Sequence, residues 1–146
     1  MVVLPLPKGY DGGSANAVSG NQIVGSAGAR AVLWDADSLE FIDLGPGFAF
    51  DTNGAVQVGY AGLPFDSRAK AWFGASGSEL DLHQFLDNGF DSSQAVGIDE
   101  SGAIVGWGEI GGIGSVPIVW TPVPEPASCL TLGAGFLVLL LRRRRK

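Results

Sequence analysis

Gln22-Ile23-Val24-Gly25, Val56-Gln57-Val58-Gly59 and Ala103-Ile104-Val105-Gly106 are three copies of one short segment that ends in glycine. Each follows a polar turn: Ser19-Gly20-Asn21, Thr52-Asn53-Gly54 and Asp99-Glu100-Ser101-Gly102. Ahead of each turn lies a small or apolar group, Ala17-Val18, Ala49-Phe50 and Val96-Gly97-Ile98. Beyond each glycine, across a variable loop, comes an aromatic run: Arg30-Ala31-Val32-Leu33-Trp34, Lys70-Ala71-Trp72-Phe73 and Pro117-Ile118-Val119-Trp120. A last element, Phe41-Ile42-Asp43-Leu44, returns as Leu80-Asp81-Leu82, with Asp43 and Asp81 each nine residues after a tryptophan. Short β-branched and aromatic runs punctuated by Gly and Asn predict strands and tight turns.

The Val-Gly units sit 34 and then 47 residues apart, the spacing of propeller blades and related arrays. Each repeat offers three or four short strands, enough for one antiparallel sheet. Such a sheet cannot bury its own face, so stacked neighbours must supply the core. The expected architecture over residues 1–121 is therefore all-β, a partial β-propeller-like array of repeated short antiparallel sheets. Trp34, Trp72 and Trp120 are expected to pack between repeats, with sugar stacking as the rival role. The glycines are expected to serve positive-φ turns and close backbone approach between sheets.

Ile98–Gly106 and Ala31–Leu44 carry a resemblance to the HAF family of extracellular bacterial repeats. There an Ile-Asn-x-x-Gly-x-(Val/Ile)-Val-Gly unit precedes an Ala-(Phe/Val)-Leu-Trp strand and an Asp-Leu element. Asp99 replaces the usual Asn, and Trp72-Phe73 replaces Leu-Trp in the second repeat. The resemblance spans most of residues 15–121 and implies no catalytic residues.

Val2-Val3-Leu4-Pro5-Leu6 stands where the last strand of an earlier repeat would stand, while the third repeat stops at Trp120 without a fourth strand of its own. The opening run is brief, broken by Pro5 and Pro7, and lacks a basic start, unlike a secretory signal. The expectation is an array whose upstream part is missing. The alternative is that residues 2–6 complete the last repeat and close a three-sheet prism.

The chain ends differently. Val123-Pro124-Glu125-Pro126 precedes an uncharged run from Ala127 to Leu141, and Arg142, Arg143, Arg144, Arg145 and Lys146 follow. Each proline keeps the preceding residue extended, so a helix is expected over about 127–141. At 1.5 Å per residue it reaches about 22 Å, short of the roughly 30 Å hydrocarbon core. Five terminal cations argue for a membrane stop nonetheless, since their long side chains snorkel to the headgroups and extend the span. A basic cluster stays cytoplasmic, which places residues 1–126 outside the cytoplasmic membrane.

Pro124, Glu125 and Pro126, the apolar run and the basic end together resemble the PEP-CTERM sorting tail of exported Gram-negative bacterial proteins, also catalogued as an ice-binding protein C-terminal domain. The resemblance covers residues 122–146. It implies recognition by an exosortase, with Pro124, Glu125 and Pro126 as the sorting motif of a substrate. It also implies an association with exopolysaccharide, and a chain either retained at the envelope or released by processing.

All 15 acidic residues lie in residues 1–125 against Lys8, Arg30, Arg68 and Lys70, a net −11 outside the tail. That surface lacks the basic footprint nucleic acid requires. Catalytic chemistry is equally absent from the pattern. His83 has no nucleophile motif beside it and is expected to be a surface or capping residue. Cys129 lies in the apolar run as a small hydrophobe, and one His with one Cys makes no zinc site. Asp51–Gly54 and Asp99–Gly102 follow turn chemistry and lack the ligand spacing of an EF-hand. No phosphate-binding glycine loop occurs.

No catalytic residue, metal or cofactor is therefore expected. The leading expectation is a non-enzymatic, exported envelope or matrix protein. The alternative is a polysaccharide-binding module using loops around Gly62–Asp66 and Gly108–Gly114, with Trp107 as the stacking residue.

Overall fold

The computed structural model describes residues 1–122 and 139–141. Strands β1 (Gly13–Ser19), β2 (Gln22–Ala27), β3 (Arg30–Asp35) and β4 (Phe41–Pro46) form the first sheet. The second holds β5 (Phe48–Thr52), β6 (Gln57–Ala61), β7 (Arg68–Trp72) and β8 (Leu80–Asp81). The third holds β9 (Phe90–Ile98), β10 (Ile104–Ile110), β11 (Gly114–Pro122) and β12 (Leu139–Leu141). Each sheet is an antiparallel meander in chain order, so one sequence repeat makes one sheet. Among the described residues the helical content is a single 3-10 turn, Leu82–Phe85.

The repeated glycine has a specific cause. Gly25 pairs with Ala15, Gly59 with Ala49 and Gly106 with Ala95, and in each sheet the register slips beside that pair. Asn16, Phe50 and Val96 are the extra residues of these three β-bulges. The bulge turns a carbonyl of the first strand toward the second. A Cβ would lie 1.8 Å from Ser14 O at Gly25, 1.8 Å from Phe48 O at Gly59 and 1.9 Å from Gln94 O at Gly106. The close approach is therefore between strands of one sheet, not between sheets as expected. The bulge also corrects the repeat alignment: Asp51-Thr52, not Ala49-Phe50, matches Ala17-Val18. The expected turn glycines hold, with Gly20, Gly54 and Gly102 at φ +56°, +93° and +86°.

The sheets stack in sequence, first on second and second on third, without closing into a propeller. Alternation along the strands gives each sheet a forward and a backward face. Val24 and Leu33 point forward and share a cluster with Trp72 of the second sheet. Val58 and Ala71 point forward and share one with Trp120 of the third. Trp34, Trp72 and Trp120 occupy one register, opposite Ile23, Gln57 and Ile104, and all three are buried. Polar contacts pin the first joint: Gln57 Nε2 and Thr52 Oγ1 both donate to Gln22 Oε1, each at 2.9 Å.

Two expectations about the chain ends change. Residues 2–6 neither pair with the third sheet nor close a prism. Leu4 packs instead with Val32 and Trp34 behind the first sheet, and Trp34 Nε1 donates to Pro5 O at 2.8 Å. The expected helix over 127–141 lies outside the described residues except for its last three, and these are extended. Leu139–Leu141 pair with Trp120–Pro122, so the third sheet does have a fourth strand. An open sheet edge offers unpaired N–H and C=O groups, and an uncharged leucine run satisfies them. Among the described residues no helix is long and apolar enough to cross a membrane.

Candidate functional site

A groove of about 850 Å³ forms where the second and third sheets meet, lined by Pro64, Phe65, Asp66, Asp91, Trp107 and Glu109. Its near wall is the loop between β6 and β7. Gly62 turns that loop at φ +103°, where a Cβ would sit 2.5 Å from Asp66 O, and Asp66 N–H closes the turn on Leu63 O at 2.9 Å. The turn leaves Phe65 93% exposed. On the far wall Trp107 is half-buried in β10, and Glu109 accepts a hydrogen bond from Ser115 Oγ. Two aromatic faces beside three carboxylates offer stacking surface with adjacent acceptors, a combination suited to hydroxyl-rich ligands. The sequence points to both loops and to Trp107. Asp91 escapes sequence reasoning, because only the pairing of β9 with β10 brings it alongside Glu109.

His83 is half-buried and pins two sheets together. Asp81 Oδ1 accepts the His83 backbone N–H at 2.9 Å, so Asp81 caps the 3-10 turn and His83 is neither the surface nor the capping residue expected. The ring reaches the next sheet, with Nδ1 2.8 Å from Ser93 Oγ, and that oxygen accepts from Ala69 N–H at 3.0 Å. Burial pushes the His83 pKa below its ordinary value and the Arg68 charge adds to this, while Asp81 and Asp66 pull the other way. Ser93 is fully buried, so no substrate can approach its hydroxyl. The pair is structural.

Two ion pairs repeat. Arg30 Nε meets Asp43 Oδ2 at 2.7 Å and Arg68 Nε meets Asp81 Oδ2 at 2.8 Å, both across thirteen residues. The second oxygen of each Asp accepts a backbone N–H two residues on, from Gly45 and His83. The Asp of the Asp-Leu element is thus explained by structure. Sequence reasoning misses the arginines, although their equal spacing is visible. Among the described residues no group of three or more His, Cys, Asp or Glu side chains could hold a metal ion. Asp99 Oδ1 is occupied by Ser101 Oγ and Ala103 N–H, which lower its pKa and fit turn chemistry.

The sorting residues Pro124, Glu125 and Pro126 and the basic cluster Arg142–Lys146 lie outside the described residues. The strand that leads to them is described: β11 ends at Pro122, two residues before Pro124. Residues 122–145 match the PEP-CTERM protein-sorting motif. The motif marks an exported chain sorted through its C-terminus, of the kind an exosortase processes. No curated protein and no solved structure matches the chain.

Proposed function

We propose that the chain is a non-enzymatic component of the cell envelope or extracellular matrix, exported and delivered through exosortase recognition of Pro124, Glu125 and Pro126. The observation that carries this reading is the sorting motif at 122–145, starting where the last long strand of a stacked β-repeat region ends. Until the tail is processed the apolar run lies in the cytoplasmic membrane with residues 1–126 outside, and Leu139–Leu141 pair with β11 only when the run is out of the membrane. The HAF-like repeats supply a glycine-rich, acidic ectodomain suited to an extracellular setting. Fractionating a host with and without its exosortase tests the sorting step. The expected result is a changed location on deletion, and an unchanged location would contradict it.

A second reading is favoured by the groove. Phe65 and Trp107 flank Asp66, Asp91 and Glu109, an arrangement that supports exopolysaccharide binding at the surface. Pull-down on polysaccharide from the host matrix is expected to retain the wild-type chain and lose Trp107→Ala. Equal retention of both would remove this reading.

A further inference from the structure

The groove between the second and third sheets departs from the repeat at both walls. In the first sheet β2 and β3 join through the tight turn Gly28-Ala29, whereas β6 and β7 are joined by residues 62–67, which carry Phe65 and Asp66. On the far wall, Ala27–Arg30 is the last pair before the turn of the first sheet, but the third sheet continues beyond the equivalent Gly108 to Glu109 and Ile110. A further bulge adds to this wall. β1–β2 and β5–β6 slip register once, β9–β10 slip twice, and the second slip leaves Asp91 as the extra residue between Phe90 and Ser92. A bulge re-aims the side chain of its extra residue, and Asp91 lines the groove.

Stacking of the sheets does not account for these residues. The position after the bulge glycine is Ser26, Tyr60 and then Trp107, so the tryptophan is peculiar to the third sheet. Phe65, at 93% exposure, belongs to no core cluster among the described residues.

The charges point to a class of ligand. The groove is lined by three carboxylates and by no cationic side chain. The carboxylates do not converge, since among the described residues no group of three or more His, Cys, Asp or Glu side chains could hold a metal ion. Acids spread along a groove match positive charges spread along a chain better than a point cation. The aromatic faces attract an ammonium group by cation–π interaction and offer a stacking surface to a sugar ring. Trp107 and Glu109 lie on β10, which is hydrogen-bonded on both sides, so this wall presents no free strand edge to a peptide backbone.

We propose that the groove binds a polysaccharide whose sugars carry free, protonated amines, a de-N-acetylated hexosamine polymer. Phe65 and Trp107 stack on its rings, while Asp66, Asp91 and Glu109 pair with its ammonium groups. This rests on the reading of the groove as a polysaccharide site and narrows that reading to one charge class. Polymers rich in uronate or sulfate are repelled by the same carboxylates. The pairs form at the surface, so affinity falls as salt screens them.

The test is calorimetric titration of the full chain in detergent with a soluble, fully de-N-acetylated glucosamine oligomer, its N-acetylated counterpart of equal length, and oligolysine. The de-N-acetylated oligomer is expected to bind, and the N-acetylated one to bind more weakly. Trp107→Ala and Phe65→Ala should each weaken binding about tenfold or more, the second at a position where folding is not at stake. Asp91→Asn and Glu109→Gln should each weaken it about two- to fivefold, and Glu100→Gln, the same charge change outside the groove, should not. Equal binding of both sugar oligomers, lost in Trp107→Ala, would overturn the amine preference and leave the groove a polysaccharide site. Binding indifferent to Phe65 and as sensitive to Glu100→Gln as to Asp91→Asn would overturn it in favour of diffuse charge attraction. Tighter binding of oligolysine, dependent on Trp107, would make the groove a cationic-peptide site instead. No binding of either sugar oligomer would remove both this proposal and the reading on which it rests.

Discussion

Trp120 donates its indole N–H to the carbonyl of Leu82 at 3.1 Å, tying the third sheet to the end of the fourth strand of the second. Trp72, in the same register one sheet earlier, has the only unpartnered buried side-chain polar atom among the described residues, its Nε1. Replacing either by Phe removes ring volume, but only Trp120→Phe also strands a carbonyl. Trp120→Phe should therefore destabilise by about 1 kcal/mol more than Trp72→Phe. Urea unfolding of the two variants measures the difference. Equal losses would show that the Leu82 bond contributes nothing.

Gly25, Gly59 and Gly106 each face a carbonyl oxygen that would lie only 1.8 to 1.9 Å from a Cβ, too close for any side chain. Alanine at any of the three should cost about 1–3 kcal/mol, as overpacking does. Gly89→Ala is the control, since nothing lies within 4 Å of its Cβ position. The unfolding midpoint should fall for the three and hold for Gly89. A uniform response would mean that the bulge carbonyls yield readily.

Asp43 and Asp81 each bind an arginine and a backbone N–H. The ion pairs are part-exposed, with side-chain exposures of 35% and 35% for Arg30–Asp43 and 44% and 28% for Arg68–Asp81, so solvent screens them. Removing Arg68 should cost less than about 1 kcal/mol. Asp81→Ala also loses the cap on His83 and should cost about 1 kcal/mol more. Chemical denaturation at low and high salt separates the contributions, because only the ion-pair part should fade with salt. A salt-insensitive cost for Arg68→Ala would assign it to packing.

His83 has a folded pKa below its unfolded value of about 6.5. The unfolded chain therefore binds the proton more readily, and folding is favoured while the ring is neutral. The contribution is complete above about pH 6.5 and is lost as pH falls from there through the folded pKa. NMR titration of the single histidine should give a midpoint below 6.5, and His83→Gln should flatten the melting temperature between about pH 5 and 6.5. A midpoint at or above 6.5 would contradict the burial of the ring near Arg68.

Much of the fold is legible in the sequence because the repeat unit coincides with the sheet. The Val-Gly segment, the turn glycines and the register of Trp34, Trp72 and Trp120 all follow from short-range spacing. What stays hidden depends on bulges and on partners distant in sequence. A bulge residue such as Phe50 has no marker of its own, so spacing alone aligns the second repeat two residues out. His83 looks like a surface cap because Ser93 approaches it only after the sheets stack. Leu139–Leu141 read as helix because an uncharged leucine run has no periodicity that separates a membrane helix from an edge strand. For the groove, aromatic and glycine signals locate Phe65 and Trp107, while Asp91 needs the cross-strand register.

The most direct measurement is the intact mass of the protein recovered from the envelope of a host with its exosortase and of one without it. The expected result is a chain shortened at its C-terminal end in the first and the unshortened 15.1 kDa chain, apart from any change at its N-terminus, in the second. The same unshortened C-terminus in both hosts, at the same location, would contradict sorting through Pro124, Glu125 and Pro126.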